Sequence, residues 1–401
     1  MKTLINLKPF NDFLESEKTG GIILIVCVVI SLIIANTSLN GPFDAFLAQN
    51  IGFETSDIQL SYSVSLWIND GLMAIFFLLV GLEIKREIVE GELSTAKKAT
   101  MPIVAALGGM LFPALIYVIF NNNTPTGHGW GIPMATDIAF ALGVISILGD
   151  RVPSSLKIFL AALAIVDDLG AILVIAIFYT NDLHWMQLLY SAGILALLVG
   201  MNLMGVKKLV FYIIPGIFLW YFIHHSGIHA TIAGVLLALT IPTNVTSEES
   251  PLEKLEHMLV KPVNFLIMPI FAIANTNIRF ESKMLDGLAS PLGFGIILGL
   301  VLGKPLGITL FSWLSVKMGL STLPSKANWN HIIGLGMLAG IGFTMSIFIA
   351  LLSFSDMASK IEAKFAILVA SLIAGVLGYI FLNFLNNKRL KVKKERLAAE
   401  A

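Results

Sequence analysis

The chain has 401 residues, of which 56% are hydrophobic and only 13% are charged. Its 26 basic and 26 acidic residues give a formal net charge of zero. This composition lies far from that of a soluble globular domain and is typical of a protein embedded in a lipid bilayer. The neutral balance provides no broad basic surface, which argues against a nucleic-acid partner. The single cysteine, Cys27, excludes an intramolecular disulfide framework.

Apolar runs long enough to cross a bilayer recur along almost the whole chain. A membrane helix needs about 20 apolar residues. The first run, from Gly20 to Ala35, lacks a cleavage site after it and therefore indicates an uncleaved first span. We predict an all-α polytopic membrane protein with about twelve transmembrane helices, in which residues 1–401 form a single membrane domain. The predicted spans are 13–36, 64–86, 99–120, 126–148, 154–180, 184–204, 208–224, 227–242, 254–277, 291–315, 331–354 and 361–386.

The distribution of lysine and arginine predicts the orientation of these spans, because cytoplasmic loops collect positive charge. With the N-terminus inside, 21 basic residues lie in cytoplasmic segments and four lie on the opposite side. Both termini are therefore predicted to be cytoplasmic. The basic tail, 387–401, is predicted to be disordered or to lie on the anionic leaflet.

The segment between the first two spans, residues 46–63, is too polar to cross lipid. Within it, residues 51–60 partly alternate apolar and polar side chains, which indicates a short extracellular β-hairpin. An exposed hairpin edge could pair with a second copy of the chain. A solvated loop is the alternative.

Four ionisable residues lie deep inside predicted spans: Asp137 in the fourth, Asp167 and Asp168 in the fifth, and Lys304 in the tenth. Such residues are costly in lipid and mark functional sites by default. Neighbouring residues on a helix point about 100° apart, so Asp167 and Asp168 should have different partners. One is expected to bind a cation together with Asp137 and the other to neutralise Lys304. Lys304 is then either a proton carrier or a structural counter-ion.

Three acids and one base leave a surplus of two carboxylates, which is the binding charge for a cation. Desolvation and like-charge repulsion favour the protonated form of closely spaced buried carboxylates. Protons and a hard monovalent cation would then compete for the same oxygens, and this competition is sufficient for exchange across a membrane. The alternative is structural, with each acid hydrogen-bonded to a neighbouring helix.

The fourth and eleventh predicted spans both contain helix-breaking residues. Pro133 removes a backbone donor close to Thr136 and Asp137. In the eleventh span four glycines precede the segment Phe343-Thr344-Met345-Ser346. Paired interrupted segments predict a site at the membrane midplane built from half-helix ends. Close helix packing is the other role that such glycines serve.

A second polar cluster is predicted at the cytoplasmic ends of the second and ninth spans. It contains Glu83, Arg86, Glu87, Glu256 and His257. Solvated anchoring at the membrane surface is one interpretation of this cluster. A pH-sensing patch is the other, because histidine titrates near neutrality.

Four motifs resemble those of the NhaA family of sodium/proton antiporters, and the resemblance extends over nearly the whole chain. The motifs are Thr136-Asp137, Val166-Asp167-Asp168, Gly303-Lys304-Pro305-Leu306-Gly307 and Gly340-Ile341-Gly342-Phe343-Thr344-Met345-Ser346. The resemblance implies inverted repeats at about 99–180 and 291–386, with two discontinuous helices that cross at the site.

The resemblance also implies roles for individual residues. Asp168 and Asp137, with Thr136, would bind Na⁺ and protons, and Asp167 would pair with Lys304. The implied activity is electrogenic exchange of internal Na⁺ or Li⁺ for external protons across the bacterial inner membrane, activated at alkaline pH. No cofactor is expected, and the implied assembly is a homodimer joined through the hairpin.

The cytoplasmic cluster is similar to the pH-response residues of the same family. One departure lies nearby: Val260-Lys261-Pro262 stands where a histidine directly before the proline is expected. This departure concerns the pH midpoint of activation and not the exchange chemistry.

Three other classes of membrane protein also use buried acids. An intramembrane aspartyl protease typically places one acid in a Gly-x-Gly-Asp setting, which neither aspartate motif has. A sodium channel would use rings of charge and need no counter-ion. A sodium-coupled symporter would need substrate-binding groups that the sequence does not show. The sequence therefore favours an antiporter, not an enzyme.

Overall fold

The computed structural model describes residues 8–55, 59–180, 183–244, 249–281 and 284–400. Among these, the side chains of residues 8–18, 150 and 386–400 are not described. The middle of the predicted hairpin, residues 56–58, and the side chains of the predicted basic tail therefore lie outside the described part of the chain.

Helices account for almost all of the described chain, as the apolar pattern predicts. In chain order they are α1 (Lys8–Ala35), α2 (Asn40–Ala48), α3 (Val64–Val89), α4 (Ala96–Asn121), a 3-10 helix (Gly127–Met134), α5 (Ile138–Ile147), α6 (Ser154–Phe178), α7 (Trp185–Leu203), α8 (Val210–His224), α9 (Ile232–Thr240), α10 (Pro251–Asn275), α11 (Met284–Leu288), α12 (Pro291–Lys317), α13 (Trp329–Ala339), α14 (Phe343–Ser353) and α15 (Met357–Glu400). Helix α15 thus includes most of the predicted tail. Single π-helical segments lie within α3, α10 and α12, at Trp67–Leu72, Val263–Ile267 and Gly299–Gly303.

The fold class, an all-α polytopic membrane protein, is confirmed, but the count of twelve spans is not. Eight described helices are long and apolar enough to cross a membrane, or ten if two bent pairs each count as one span. The bent pairs are α1 with α2, at 108°, and α13 with α14, at 48°. Helices α8 and α9 occupy two predicted spans but have only 15 and nine residues, fewer than the roughly 20 that a straight span needs.

An antiparallel hairpin lies between α2 and α3, as the alternating pattern predicts. Strand β1 (Asn50–Ile51) pairs with β2 (Tyr62–Ser63), with Asn50 opposite Ser63 and Ile51 opposite Tyr62. The predicted start at residue 46 is too early, because residues 46–48 form the last turn of α2. The indole of Trp67 donates to the carbonyl of Ile51 at 2.9 Å and so ties β1 to the start of α3.

The chain separates into two compact units. Among the described residues, unit 1 lies within 8–22, 95–168 and 284–400, and unit 2 lies within 23–94 and 169–281. In unit 1, α4 packs along α12, while α13 and α14 pack against α15. In unit 2, α3 packs on α9 and α7 packs on α8, around a core that includes Leu82, Tyr212 and Leu219.

Helices α4 and α12 approach each other backbone to backbone. A Cβ atom added at Gly307 would lie 2.0 Å from the carbonyl oxygen of Gly108, and one added at Gly108 would lie 2.2 Å from the carbonyl oxygen of Gly307. Small residues allow this close packing of membrane helices. The contact fixes the position of α12, which carries Lys304.

Substitution of Gly307 by alanine should destabilise the protein, because the backbone of α4 leaves no room for a methyl group. Overpacking typically costs about 1–3 kcal/mol, so the melting temperature of the purified protein in detergent should fall. Gly193→Ala in α7 is the matched control, since a Cβ there meets no atom within 4 Å. Equal melting temperatures for Gly307→Ala and the wild type would contradict this account of the contact.

Candidate ion-binding site

Two interrupted helical segments of unit 1 meet at their breaks. In the first, the 3-10 helix ends at Met134, and extended residues 135–137 precede α5. In the second, α13 ends at Ala339 and α14 begins at Phe343. The first break follows Pro133, and the second lies in the predicted glycine-rich segment. The two discontinuous helices expected from the sequence are therefore present.

Hydrogen bonds join the two breaks directly. Each of them satisfies a backbone group that an unbroken helix would have used internally, which is essential where no water is present. The bonds run from Asp137 N to Ile341 O (2.6 Å), from Thr136 Oγ1 to Ala339 O (2.9 Å) and from Ser346 Oγ to Ile132 O (2.7 Å). The two interruptions therefore stabilise each other.

Asp137 is the N-cap residue of α5 and is almost completely buried. Its Oδ1 accepts a hydrogen bond from the N–H of Phe140 at 3.0 Å. Its Oδ2 accepts from the N–H of Thr344 at 3.0 Å and also from the Thr344 hydroxyl. Two helix N-termini, those of α5 and α14, thus direct donors at one carboxylate, an arrangement that stabilises negative charge.

Asp167 forms an ion pair with Lys304, and neither side chain is accessible to solvent. The distance between Lys304 Nζ and Asp167 Oδ2 is 2.5 Å. The Thr136 hydroxyl accepts from Lys304 at 2.9 Å and lies 2.7 Å from the same Asp167 oxygen. The carbonyl of Ala339 lies 2.9 Å from the same hydroxyl, whose single proton is therefore within reach of two acceptors.

Asp168 is equally buried but has different surroundings. Within the described part of the chain, neither of its carboxylate oxygens has a hydrogen-bond partner. It lies close enough to Asp137, Asp167 and Lys304 to interact with them electrostatically. A buried carboxylate without a partner is costly, so a proton or a cation must neutralise it. Unit 1 therefore brings together all four ionisable residues that the sequence places deep in spans.

The protein atoms alone do not form a conventional metal centre. Among the residues that the structure describes, no group of three or more His, Cys, Asp or Glu side chains is arranged to hold a metal ion. A sodium ion between Asp137 and Asp168 would need further oxygens from hydroxyls, water or the backbone. Carbonyls at the breaks of interrupted helices commonly supply such ligands in transporters.

The predicted cytoplasmic cluster lies in unit 2, where α3 ends and α10 begins. Arg86 forms ion pairs with Glu87, at 3.3 Å, and with Glu256, at 3.1 Å. Glu83 also interacts electrostatically with Arg86. The Glu256 side chain is only 8% exposed, whereas that of Arg86 is 38% exposed, so only the carboxylate end of this ion pair is shielded from solvent.

His257 is on the solvent side of this cluster. Its Nδ1 lies 2.9 Å from Glu249 Oε1, and its side chain is 69% exposed. Lys85, to which the sequence assigned no separate role, donates to the carbonyls of Leu239 at 2.8 Å and Ile241 at 2.5 Å. This lysine caps the C-terminal end of α9.

Thr344 is a contact residue at the site that sequence reasoning did not single out. It lies in the quoted glycine-rich motif, but only the structure shows that both of its donors face Asp137. The signal that could have identified it is its position directly after the break. The first N–H groups of a restarting helix lack intrahelical partners and are available to an acid on the facing segment.

The Asp167–Lys304 pair should be strongly coupled in stability. Removing one partner of a buried pair leaves an uncompensated charge and typically costs about 3–5 kcal/mol. Asp167→Asn or Lys304→Met alone should therefore lower the melting temperature markedly, whereas the double variant should recover much of the loss. Additive losses in this double-mutant cycle would show that the two residues do not interact.

Comparison with known proteins relates the whole chain to one family. A family model described as Na⁺/H⁺ antiporter 1 matches residues 11–382. The Na⁺/H⁺ antiporter NhaA 2 of Flavobacterium johnsoniae is 63% identical over 390 residues, which cover 97% of this chain and 96% of that protein. NhaA of Yersinia pseudotuberculosis is 49% identical over 388 residues, covering 96% and 98% of the two chains.

This similarity covers all four sequence motifs and both structural units. Together with the apolar helices, it identifies a multi-pass membrane transporter whose substrates are Na⁺ and H⁺. The chain belongs to the NhaA family of Na⁺/H⁺ antiporters.

Proposed function

We propose that the chain exports internal Na⁺ or Li⁺ in exchange for external protons, and that these ions compete for the carboxylates of Asp137 and Asp168. The observation that carries the proposal is the contrast between two neighbouring acids. Asp167 is neutralised by Lys304, whereas both oxygens of Asp168 lack a hydrogen-bond partner among the described residues. Asp168 must therefore take up an ion from outside the protein.

Competition for one pair of carboxylates couples the two ion movements. When Na⁺ occupies the site the carboxylates are ionised, and when protons occupy it no charge remains to hold Na⁺. A site that reorients only when Na⁺ or protons occupy it therefore carries Na⁺ in one direction and protons in the other. Release of a proton from each of two carboxylates for one Na⁺ moves unequal charge, which makes the exchange electrogenic.

The remaining buried residues hold this pair of carboxylates in place. We assign Lys304 as the counter-ion of Asp167, because the 2.5 Å contact and the bond to Thr136 hold its ammonium group away from solvent. Thr136 connects this ion pair to the second break through Ala339. The pair leaves the cation site with a net surplus of two negative charges.

Asp168→Asn should abolish exchange, because an amide cannot bind either a proton or Na⁺ as a carboxylate does. The test uses inside-out vesicles that hold a pH gradient, with a fluorescent pH probe, and adds Na⁺ over a pH series. Sodium should collapse the gradient with the wild type and with Asp286→Asn, a matched change at an exposed aspartate of α11. An undiminished response with Asp168→Asn, or none with correctly inserted wild type, would overturn the proposal.

The cytoplasmic cluster supports activation at alkaline pH. Glu87 and Glu256 share one arginine, and Glu83 and Glu253 add negative charge around it. Glu256, whose side chain is only 8% exposed, lies among these carboxylates, so a proton lost from Glu256 on alkalinisation would increase the repulsion among them and change the balance of forces between α3 and α10. We propose that this change activates exchange.

Glu256→Gln should move the pH midpoint of activation to higher pH. The amide is neutral at every pH, so the repulsion that activates exchange is weaker and a higher pH is needed to reach it. Exchange rates of reconstituted protein, measured from acid to alkaline pH at saturating Na⁺, test this shift. Glu249→Gln, at a carboxylate that is 47% exposed, should shift the midpoint less. If the exchange rate of Glu256→Gln depends on pH as that of the wild type does, the Arg86–Glu256 ion pair takes no part in the pH response.

The distribution of basic residues supports a membrane location and an orientation for the chain. We place the protein in the bacterial cytoplasmic membrane with both termini inside, because 21 of the 26 basic residues then lie in cytoplasmic segments.

We also propose a homodimer joined through the hairpin, since Ile51 and Phe53 are about half-exposed beside a short strand edge. Cross-linking of single cysteines placed in the hairpin, after replacement of Cys27, tests this assembly; absence of a cross-linked dimer would contradict it.

A further inference from the structure

We propose that Thr344 is a positioning residue of the ion-binding site, whose hydroxyl holds the Asp137 carboxylate in the orientation in which Asp137 and Asp168 bind Na⁺ together. The inference rests on the proposed function, because it concerns how one of the two competing carboxylates is presented. Thr344 is not assigned to touch the ion; it acts through Asp137.

The geometry that supports this role is a two-donor contact from one interrupted segment to the other. Thr344 is the second residue of α14 and is 1% exposed. Its N–H and its hydroxyl both donate to Oδ2 of Asp137, while the N–H of Phe140 donates to Oδ1. Among the described hydrogen bonds, the Thr344 hydroxyl is the one side-chain group that donates to Asp137.

The three acids of the site are held in three different ways. Asp167 is fixed by Lys304 and Thr136, and Asp168 has no hydrogen-bond partner among the described residues. Asp137 is fixed through Thr344 and through the N-terminus of α5. The orientation of Asp137 is therefore set by the protein, whereas Asp168 is free to adjust to the ion, and Thr344 determines how the two carboxylates face each other.

Loss of the hydroxyl should weaken Na⁺ binding in a defined way. In Thr344→Val, a methyl group replaces a charge-stabilising donor beside a buried carboxylate, while the backbone N–H remains. The ionised carboxylate that binds Na⁺ is then disfavoured relative to its protonated form. Hydrogen bonds to charged groups are strong enough for an effect of about ten-fold on an affinity.

The experiment measures initial rates of Na⁺-driven proton movement in proteoliposomes as a function of Na⁺ concentration at one pH. Thr344→Val should raise the KM for Na⁺ about ten-fold with little change in the maximal rate. Thr344→Ser, which restores the hydroxyl without the methyl group, should return the KM close to the wild-type value. Ser353→Ala is the matched control, because this hydroxyl of the same helix donates only within the helix, to Ile349 O at 2.7 Å.

A wild-type KM in Thr344→Val would overturn the inference. A lower maximal rate with an unchanged KM in both the valine and the serine variants would also overturn it, since that pattern indicates a packing role. If Thr344→Val does not accumulate, Thr344→Ala removes the same hydroxyl and carries the same expected rise in KM. Failure of the wild type to couple Na⁺ to protons would instead contradict the proposed function.

Discussion

The buried excess of negative charge in unit 1 is the constraint on which the rest of the structure depends. Three aspartates and one lysine lie in an environment that neither lipid nor packed side chains can solvate. Lys304 neutralises one acid, and donors at two helix N-termini stabilise Asp137. Asp168 is left without such compensation among the described residues. In the proposed function an ion from solution completes the site, and this requirement connects the fold to transport.

The interrupted helices present polar backbone where an unbroken membrane helix would present only hydrocarbon. Extended residues 135–137 and the break after Ala339 expose polar groups, and hydrogen bonds from Asp137 N to Ile341 O and from the Thr136 hydroxyl to Ala339 O join the two breaks. Close backbone contact at Gly108 and Gly307 then fixes α12 against α4. The lysine, the acids and the breaks are thus positioned by packing within one unit.

The site residues could be predicted from the sequence where burying a polar or ionisable residue in the membrane has a large free-energy cost. The four deep ionisable residues, the break near Pro133 and the polar hairpin segment could all be identified from composition and spacing, because each violates the apolar pattern. The short length of α9 could not be identified in this way. The chain around His229 is apolar enough to be predicted as part of a span, although the helix begins only at Ile232. The roles of Thr344 and Lys85 were also missed, because both depend on contacts between segments that are distant in sequence.

Direct measurement of proton release on Na⁺ binding tests whether Na⁺ and protons compete for the carboxylates of Asp137 and Asp168. Purified wild-type protein in weakly buffered detergent solution would receive Na⁺ over a pH series, with pH and bound Na⁺ recorded together. We expect Na⁺ binding to release protons, the apparent affinity for Na⁺ to fall as the pH is lowered, and Asp168→Asn to show neither effect. Sodium binding of equal affinity at every pH, without proton release, would contradict it.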